Sequence, residues 1–137
     1  MAGGLEWSAR QAQIGHSVWV ESRIDLDEAA LVISRQIDNW KRVGIEIQPI
    51  TWRDVGERWP YPLKTDRAEV IDPDSVGLAL RKGEQEGELV LFKGGWADLR
   101  YWDGKSNQII DEAPGWDDWM SLDDFERLLN RFAGLFA

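Results

Sequence analysis

Cysteine is absent from the sequence, and histidine occurs once, as His16. The absence of cysteine excludes a disulfide framework and thiol chemistry, and a single histidine excludes a metal site built from several imidazoles. We therefore expect neither a cofactor nor a metal, and the lack of cysteine also fits a reducing cytoplasm. His16 follows Gly15 in a segment that indicates a turn before a strand, so we interpret it as a turn residue and not as a catalytic base.

Long hydrophobic runs and targeting signals are missing as well. No apolar run approaches the roughly 18–20 residues that a membrane-spanning helix needs. The first seven residues contain neither the basic region nor the apolar region of a secretory signal. The length of 137 residues fits one ordinary domain. We therefore expect a single soluble domain, residues 1–137, in the cytoplasm.

Positive charge is in short supply. The chain has 16 lysine and arginine residues against 25 aspartate and glutamate residues, for a formal net charge of −9. Such a charge opposes binding to nucleic acid and to anionic lipid, so neither is an expected partner. The same charge favours a basic protein as the partner.

The sequence also lacks the short motifs of common enzymes. There is no Gly-x-Ser-x-Gly elbow, phosphate-binding loop or dinucleotide fingerprint. Gly94-Gly95 precedes no helix, and we interpret it as a bulge or a close backbone approach between two strands. Glu88 and Asp98 could approach each other as a glycosidase-like pair, but 25 acids make such coincidences common. We therefore expect a binding protein and not an enzyme.

Alternating apolar residues in the second half of the chain predict an antiparallel meander. The predicted strands are residues 75–82, 88–92, 96–102 and a short segment at 108–111. A polar hairpin loop at 83–87 joins the first two. Ser121 then caps a helix over residues 122–135, and its apolar stripe should lie across one face of the sheet.

The first half of the chain is less regular. The pattern indicates a short helix at residues 5–14, strands at 17–22 and 45–52, and an extended connection at 59–62. Residues 25–44 combine helical spacing, a capping pair at Asp25 and Glu28, and Lys41 and Arg42 before Gly44. Part of the segment also fits an alternating strand, so helix is favoured and strand stays open. Together these elements predict an α+β fold, with N-terminal and C-terminal helices packed on an antiparallel β-meander.

Nine tryptophans are too many for a core of this size to absorb easily. Trp7, Trp19 and Trp40 have credible places in the core. Trp116 and Trp119 instead lie in residues 111–126, which hold seven acids and no basic residue. A structural explanation is that the acids complement a helix dipole and that the tryptophans tuck under the helix. The alternative is an interface where aromatic anchors are surrounded by acids that guide a basic partner.

The outward face of strand 96–102 mixes the same two kinds of side chain, and we expect it to adjoin this segment. The predicted partner-binding residues are Trp96, Asp98, Trp102, Asp111, Glu112, Trp116, Asp117, Asp118 and Trp119. Because Pro114 and Gly115 interrupt regular structure, Trp116 and Trp119 are expected on a connecting loop.

Four features in order resemble a known family: a helix containing Trp7, the strand at residues 17–21, the hairpin that ends in residues 94–98, and the closing helix with Phe125 and Leu129. The chain is similar to the TriTu-type immunity proteins, antidotes to bacterial polymorphic toxins that ADP-ribosylate elongation factor Tu. The resemblance implies a non-enzymatic inhibitor, monomeric or in a 1:1 complex, that occludes the active or target-binding site of its cognate toxin.

Two other classes of function stay open. Exposed tryptophans also stack on sugar rings, which fits a carbohydrate-binding module if they lie on one flat sheet face. Carboxylates spaced regularly along one face would instead fit a nucleic-acid mimic that inhibits a nuclease or a DNA-binding protein.

Overall fold

The computed structural model describes residues 22–55 and 63–137. Several predictions lie outside these residues: the helix at 5–14, the strand at 17–22 except for Ser22, the turn at His16 and the connection at 59–62. Within the described residues the chain folds as two helices and a six-stranded antiparallel sheet, so the predicted α+β class is confirmed.

The helices and strands follow the chain in a simple order. Helix α1 and strands β1 and β2 come first, and β3 to β6 and helix α2 follow a short 3₁₀ turn at Arg67–Glu69. Their bounds are Leu26–Arg42 (α1), Glu46–Ile47 (β1), Thr51–Asp54 (β2), Pro73–Lys82 (β3), Gln85–Phe92 (β4), Trp96–Trp102 (β5), Ile109–Glu112 (β6) and Leu122–Gly134 (α2).

Strands β3 to β6 form the predicted meander, each pairing with the next. The predicted strand at 45–52 is divided into β1 and β2, with Pro49 between them. Both pair with β3 on the edge that β4 leaves free. β1 lies against the end of β3 at Leu80 and Arg81, and β2 lies against its beginning.

The ambiguous segment at residues 25–44 forms a helix, α1, and not a strand. The Asp25 carboxylate accepts hydrogen bonds from the amides of Asp27 at 2.9 Å and Glu28 at 3.1 Å, which caps the first turn. At the other end Gly44 adopts a φ of 86°, a conformation that suits glycine. Strand alternation would have buried Leu31 together with Ile33, yet Leu31 is 56% exposed and Ile33 is 1% exposed. The apolar stripe of the helix is therefore the one that meets the core.

Helix α2 packs on the same face of the sheet. Ser121 and Asp124 exchange side-chain and backbone hydrogen bonds in a capping box. The buried side chains of α2 join a core that includes Leu89 and Leu91 of β4. Gly87 lets the helix approach closely, because a Cβ atom there would lie 2.8 Å from a ring carbon of Phe132.

The opposite face of the sheet is called the open face here. On β4 and β5 it carries Glu86, Glu88, Val90, Phe92, Trp96, Asp98, Arg100 and Trp102, by alternation with the core residues. Its two ends differ sharply. Phe92, Trp96 and Asp98 are buried at one end, whereas Trp102 is exposed at the other.

Candidate functional site

The segment between β6 and α2, residues 113–120, is called the tryptophan loop here. As predicted, it contains no regular helix or strand. Backbone hydrogen bonds hold it at both ends against the start of β5. The Ala97 amide donates to the Pro114 carbonyl at 2.9 Å, and the Met120 amide donates to the Gly95 carbonyl at 2.8 Å. The loop is therefore fixed to the sheet despite its irregular backbone.

Glycine makes this attachment possible. Gly115 has a φ of 85°, and a Cβ atom on it would lie 2.5 Å from the Gly95 carbonyl oxygen. Gly95 has a φ of 88°, and its Cβ would lie 2.8 Å from the Cβ of Trp119. The Gly94-Gly95 pair thus does mark a close approach, but the approaching chain is the tryptophan loop and not a second strand.

Trp116 rests on a column of aromatic rings. Its ring meets Trp96 edge to face at a centroid distance of 4.7 Å, and Trp96 stacks on Phe92 at 4.1 Å. The Arg53 guanidinium lies 5.7 Å from the Phe92 ring, and Arg53 also pairs with Asp74 in the buried layer. Edge-to-face and stacked pairs each add stabilisation beyond their buried area. Trp116 is therefore supported from beneath while 45% of it remains exposed.

Trp119 is 49% exposed at the other end of the loop. The Arg23 guanidinium lies 5.7 Å from its ring centroid, within the range of a cation–π contact. The structural explanation, in which both tryptophans tuck under α2, does not hold, because both side chains are nearly half exposed, whereas Met120, next to the N-cap residue Ser121, is 6% exposed.

The seven acids of residues 111–126 divide into two groups. Glu112 pairs with Arg131 at 2.7 Å, and Asp124 pairs with Arg127 at 2.5 Å. The amide of Ser121, followed by Arg127, lowers the pKa of Asp124 below its ordinary value. The side chains of the other five form no hydrogen bond or ion pair within the described ranges: Asp111, Asp117, Asp118, Asp123 and Glu126. This charge is therefore available to a partner.

The predicted binding residues do not all reach the surface. Trp102, Asp111, Glu112, Trp116, Asp117, Asp118 and Trp119 are exposed. Trp96 is 6% exposed and Asp98 is 2% exposed, so the expectation that these two lie on an accessible face is wrong. Alternation along a strand gives the direction of a side chain, but burial depends on what packs over that face.

Trp102 lies apart from the loop. It is six residues from Trp96 along β5, or about 20 Å at the usual rise of a strand. Its indole N–H donates to the Ser106 carbonyl at 2.7 Å, and it borders a shallow groove of 570 Å³ that Arg81, Glu88 and Ile109 also line. The expected contact between strand 96–102 and residues 111–126 is present, since Asp111 of β6 lies opposite Arg100 in the register. In the described ranges the exposed tryptophans therefore lie in two separate places, Trp102 on β5 and the pair Trp116 and Trp119 on the tryptophan loop.

Two exposed apolar residues next to the candidate site were not among the predicted binding residues. Ile109 is 40% exposed and Ile110 is 36% exposed, and both lie on β6 between Trp102 and the loop. Two adjacent isoleucines in a predicted strand contain the signal, because successive side chains of a strand point to opposite faces and one of the two must therefore face away from the core.

The described residues contain neither a metal site nor a membrane-spanning helix. No group of three potential ligands among His, Cys, Asp and Glu is arranged to hold a metal in residues 22–55 and 63–137. In the same ranges neither helix has the length and apolar character required to cross a membrane.

Comparisons with protein-family models, curated proteins and solved structures give no match to this chain.

Proposed function

We propose that this protein is a non-enzymatic inhibitor that binds a basic partner protein through its tryptophan loop and neutralises it. The observation that carries the proposal is the pair Trp116 and Trp119, each about half exposed, on a loop that hydrogen bonds fix at both ends. On the resemblance described above, the partner is a toxin of the ADP-ribosyltransferase class and the protein is its immunity protein.

The fixed loop favours tight binding. Interfaces derive most of their affinity from a few buried anchors, among which tryptophan is enriched. A partner that covers Trp116 gains buried aromatic area without ordering a flexible segment, because Trp96 already supports the ring. Binding to a preorganised surface costs less conformational entropy than binding to a mobile one.

The charge around the anchors determines the kind of partner. Asp117 and Asp118 lie between the two tryptophans and are exposed, with no ion pair in the described part of the chain. Carboxylates in such positions attract a basic surface and suppress acidic competitors. We place Trp116, Asp117, Asp118 and Trp119 at the centre of the interface, with Asp111 and Glu112 at its rim. Trp96 and Asp98 serve as supporting residues beneath it.

The other two classes of function are less well supported. A carbohydrate-binding face needs several coplanar tryptophans, and in the described ranges Trp102 is the one exposed tryptophan on the sheet. A nucleic-acid mimic needs an unbroken row of carboxylates. On the open face Arg81 pairs with Glu86 at 3.2 Å and Arg100 lies opposite Glu88, so the row is interrupted by positive charge.

The test co-expresses the protein in bacteria with the toxin domain encoded by the neighbouring reading frame, and measures survival and the affinity of the purified pair. We expect Trp116→Ala and Trp119→Ala each to weaken binding by about 30-fold or more, the usual size of a hot-spot loss. The matched control is Leu31→Ala, which truncates an apolar side chain that is 56% exposed on α1.

The control should bind like the unmodified protein, and all three variants should unfold at similar temperatures. If both tryptophan variants retain full affinity and full protection, the tryptophan loop is not the binding surface. If the neighbouring product is harmless and does not bind, the assignment as an immunity protein fails.

A further inference from the structure

Strand β6 is an edge of the sheet within the described part of the chain. It pairs with β5 on one side, and all four of its residues are exposed. An edge strand presents unpaired N–H and C=O groups that can accept another strand.

The register of β5 and β6 determines which backbone groups of β6 point outward. The Ala97 amide donates to the Pro114 carbonyl, which extends the β5–β6 pairing by one hydrogen-bonded pair. Because amide directions alternate along a strand, Leu99 and Tyr101 also direct their amides towards β6. Their opposite residues, Glu112 and Ile110, are therefore the inward hydrogen-bonding positions. It follows that Ile109 and Asp111 direct both backbone groups away from the sheet.

The outward groups are accessible. In residues 22–55 and 63–137 the backbone groups of Ile109 and Asp111 make no hydrogen bond outside the β5–β6 pair. Their side chains share the open face, where Ile109 is 40% exposed and Asp111 is also exposed. A strand added at this edge would therefore meet an apolar side chain and a carboxylate two residues apart on one face.

We propose that the β6 edge accepts an extended segment of the basic partner as an additional strand of the sheet. This deepens the proposed function, on which it rests, by naming how the partner docks. The segment carries a basic side chain opposite Asp111 and an apolar side chain opposite Ile109. Strand addition supplies main-chain hydrogen bonds for affinity, and alternate side chains supply specificity.

Charge complementarity favours a basic partner over a second copy of this chain. Two copies joined edge to edge would bring two β6 strands, each carrying Asp111 and Glu112, side by side. Each copy also has a net charge of −9. Like charges near one another across paired strands destabilise the pairing. The strand also continues directly into the tryptophan loop, so a segment on β6 and a surface on Trp116 belong to one continuous interface.

The first experiment uses a capped peptide of sequence TKTVTKT as the probe and follows backbone amide shifts of the full-length protein by NMR. In the added strand, lysine and valine lie opposite Asp111 and Ile109, so their amides face β6. Two isomeric peptides make a matched pair. One is N-methylated at the first lysine and the valine. The other is N-methylated at the two inner threonines, the third and fifth residues.

We expect TKTVTKT to perturb the amides of Ile109, Asp111 and Ala113. Methylation at lysine and valine should weaken binding by about tenfold or more, because it removes the hydrogen bonds to the edge. Methylation at threonine should leave binding within about twofold, and the charge-reversed TETVTET should bind at least about tenfold more weakly. Equal binding of the two methylated isomers, or no shift at β6 up to about 10 mM peptide, overturns the proposal.

A second pair of variants tests the same edge from the protein. Asp111→Thr and Asp111→Pro both remove the carboxylate, but proline alone removes the outward N–H, a change that an edge strand tolerates. We expect Asp111→Pro to bind TKTVTKT about tenfold more weakly than Asp111→Thr, with similar melting temperatures. Equal binding by the two variants contradicts the strand addition, as does a β6-dependent dimer of the unmodified protein.

The peptide result is independent of the tryptophan loop. Trp116→Ala should bind TKTVTKT within about twofold of the unmodified protein, since the peptide lies along β6 and reaches no further into the tryptophan loop than Ala113. If TKTVTKT does not bind at β6 but Trp116→Ala and Trp119→Ala still weaken binding of the partner, the strand addition is wrong and the proposed function stands. If the peptide binds at β6 as expected but the two tryptophan variants bind the partner normally, the tryptophan loop is not the binding surface and the β6 edge still accepts a strand.

Discussion

Two regions of this protein combine tryptophan, arginine and aspartate in opposite ways. In the first, β2, Trp52 is 5% exposed and lies 5.3 Å from the Arg67 guanidinium. In the second, the tryptophan loop, Trp119 is 49% exposed and lies 5.7 Å from the Arg23 guanidinium. The cation–π contact is nearly the same length in both. The difference is the burial of the ring.

The carboxylates of the two regions differ in the same way. Asp54, on β2, accepts hydrogen bonds from the Lys64 ammonium at 2.9 Å and from the amides of Ile71 and Asp72 at 2.8 Å. Asp117 and Asp118 of the tryptophan loop have no such donors in the described part of the chain. In β2 the fold itself satisfies the polar groups, whereas in the loop they remain available. Residue type alone therefore does not separate a structural site from a binding site.

The largest expected effect on stability is at Trp52. Trp52→Ala should lower the free energy of unfolding by about 3–5 kcal/mol, because it leaves a cavity in the core. Trp119→Ala should lower it by less than about 1 kcal/mol, because nearly half of that side chain is already exposed. Urea unfolding followed by circular dichroism measures both. Similar losses in the two variants would show that the loop tryptophan serves the fold and would weaken the comparison.

A smaller effect is expected at Asp54. Asp54→Ala should cost about 2–3 kcal/mol, because the amides of Ile71 and Asp72 would lose their acceptor. Exposed Asp117→Ala should change the free energy of unfolding by less than about 0.5 kcal/mol. Chemical denaturation at neutral pH distinguishes the two outcomes.

Asp54 also predicts a pH dependence. Burial alone would raise its pKa, but the hydrogen bonds from Lys64, Asp72 and Ile71 outweigh burial and lower the pKa below its ordinary value of 3.8. The unfolded chain then binds the proton more readily, so the stabilisation is complete above that ordinary value and is lost as the pH falls through the folded-state pKa. Acid titrations of stability should be steeper for the unmodified protein than for Asp54→Ala. Parallel curves would contradict this role for Asp54.

The fold was predicted better than the site, because helices and strands depend on neighbouring residues, whereas the site depends on residues that are distant in the sequence. Helix α2 depends on local periodicity and its cap, and it was predicted to within one residue. The β3–β4 hairpin was predicted from its turn residues, but its loop is residues 83–84 and not 83–87, so β4 begins at Gln85. The ambiguity at α1 was resolved by its caps and by the exposure of Leu31. The burial of Trp96 and Asp98 could not be predicted, since alternation says nothing about what packs over a face. The outward groups of Ile109 and Asp111 depend on register, which two separate strands determine together.

The smallest effect on stability, and the sharpest test of the tryptophan loop, is expected from removing its free charge. The double variant Asp117→Asn, Asp118→Asn should unfold within about 0.5 kcal/mol of the unmodified protein. Its association rate with the proposed basic partner should fall by about threefold to tenfold at low salt, while the dissociation rate changes little, because exposed charges guide approach more than they hold the complex.

The matched control removes the same charge elsewhere. Asp38→Asn with Glu46→Gln neutralises two exposed acids on α1 and β1, away from the tryptophan loop. If net charge alone governed association, both double variants would slow it equally. If the position of Asp117 and Asp118 beside Trp116 matters, the control should retain most of the rate, and the difference should shrink as added salt screens the charges. Stopped-flow association at two ionic strengths separates these outcomes, because local charge steers a partner only when it lies near the contact surface.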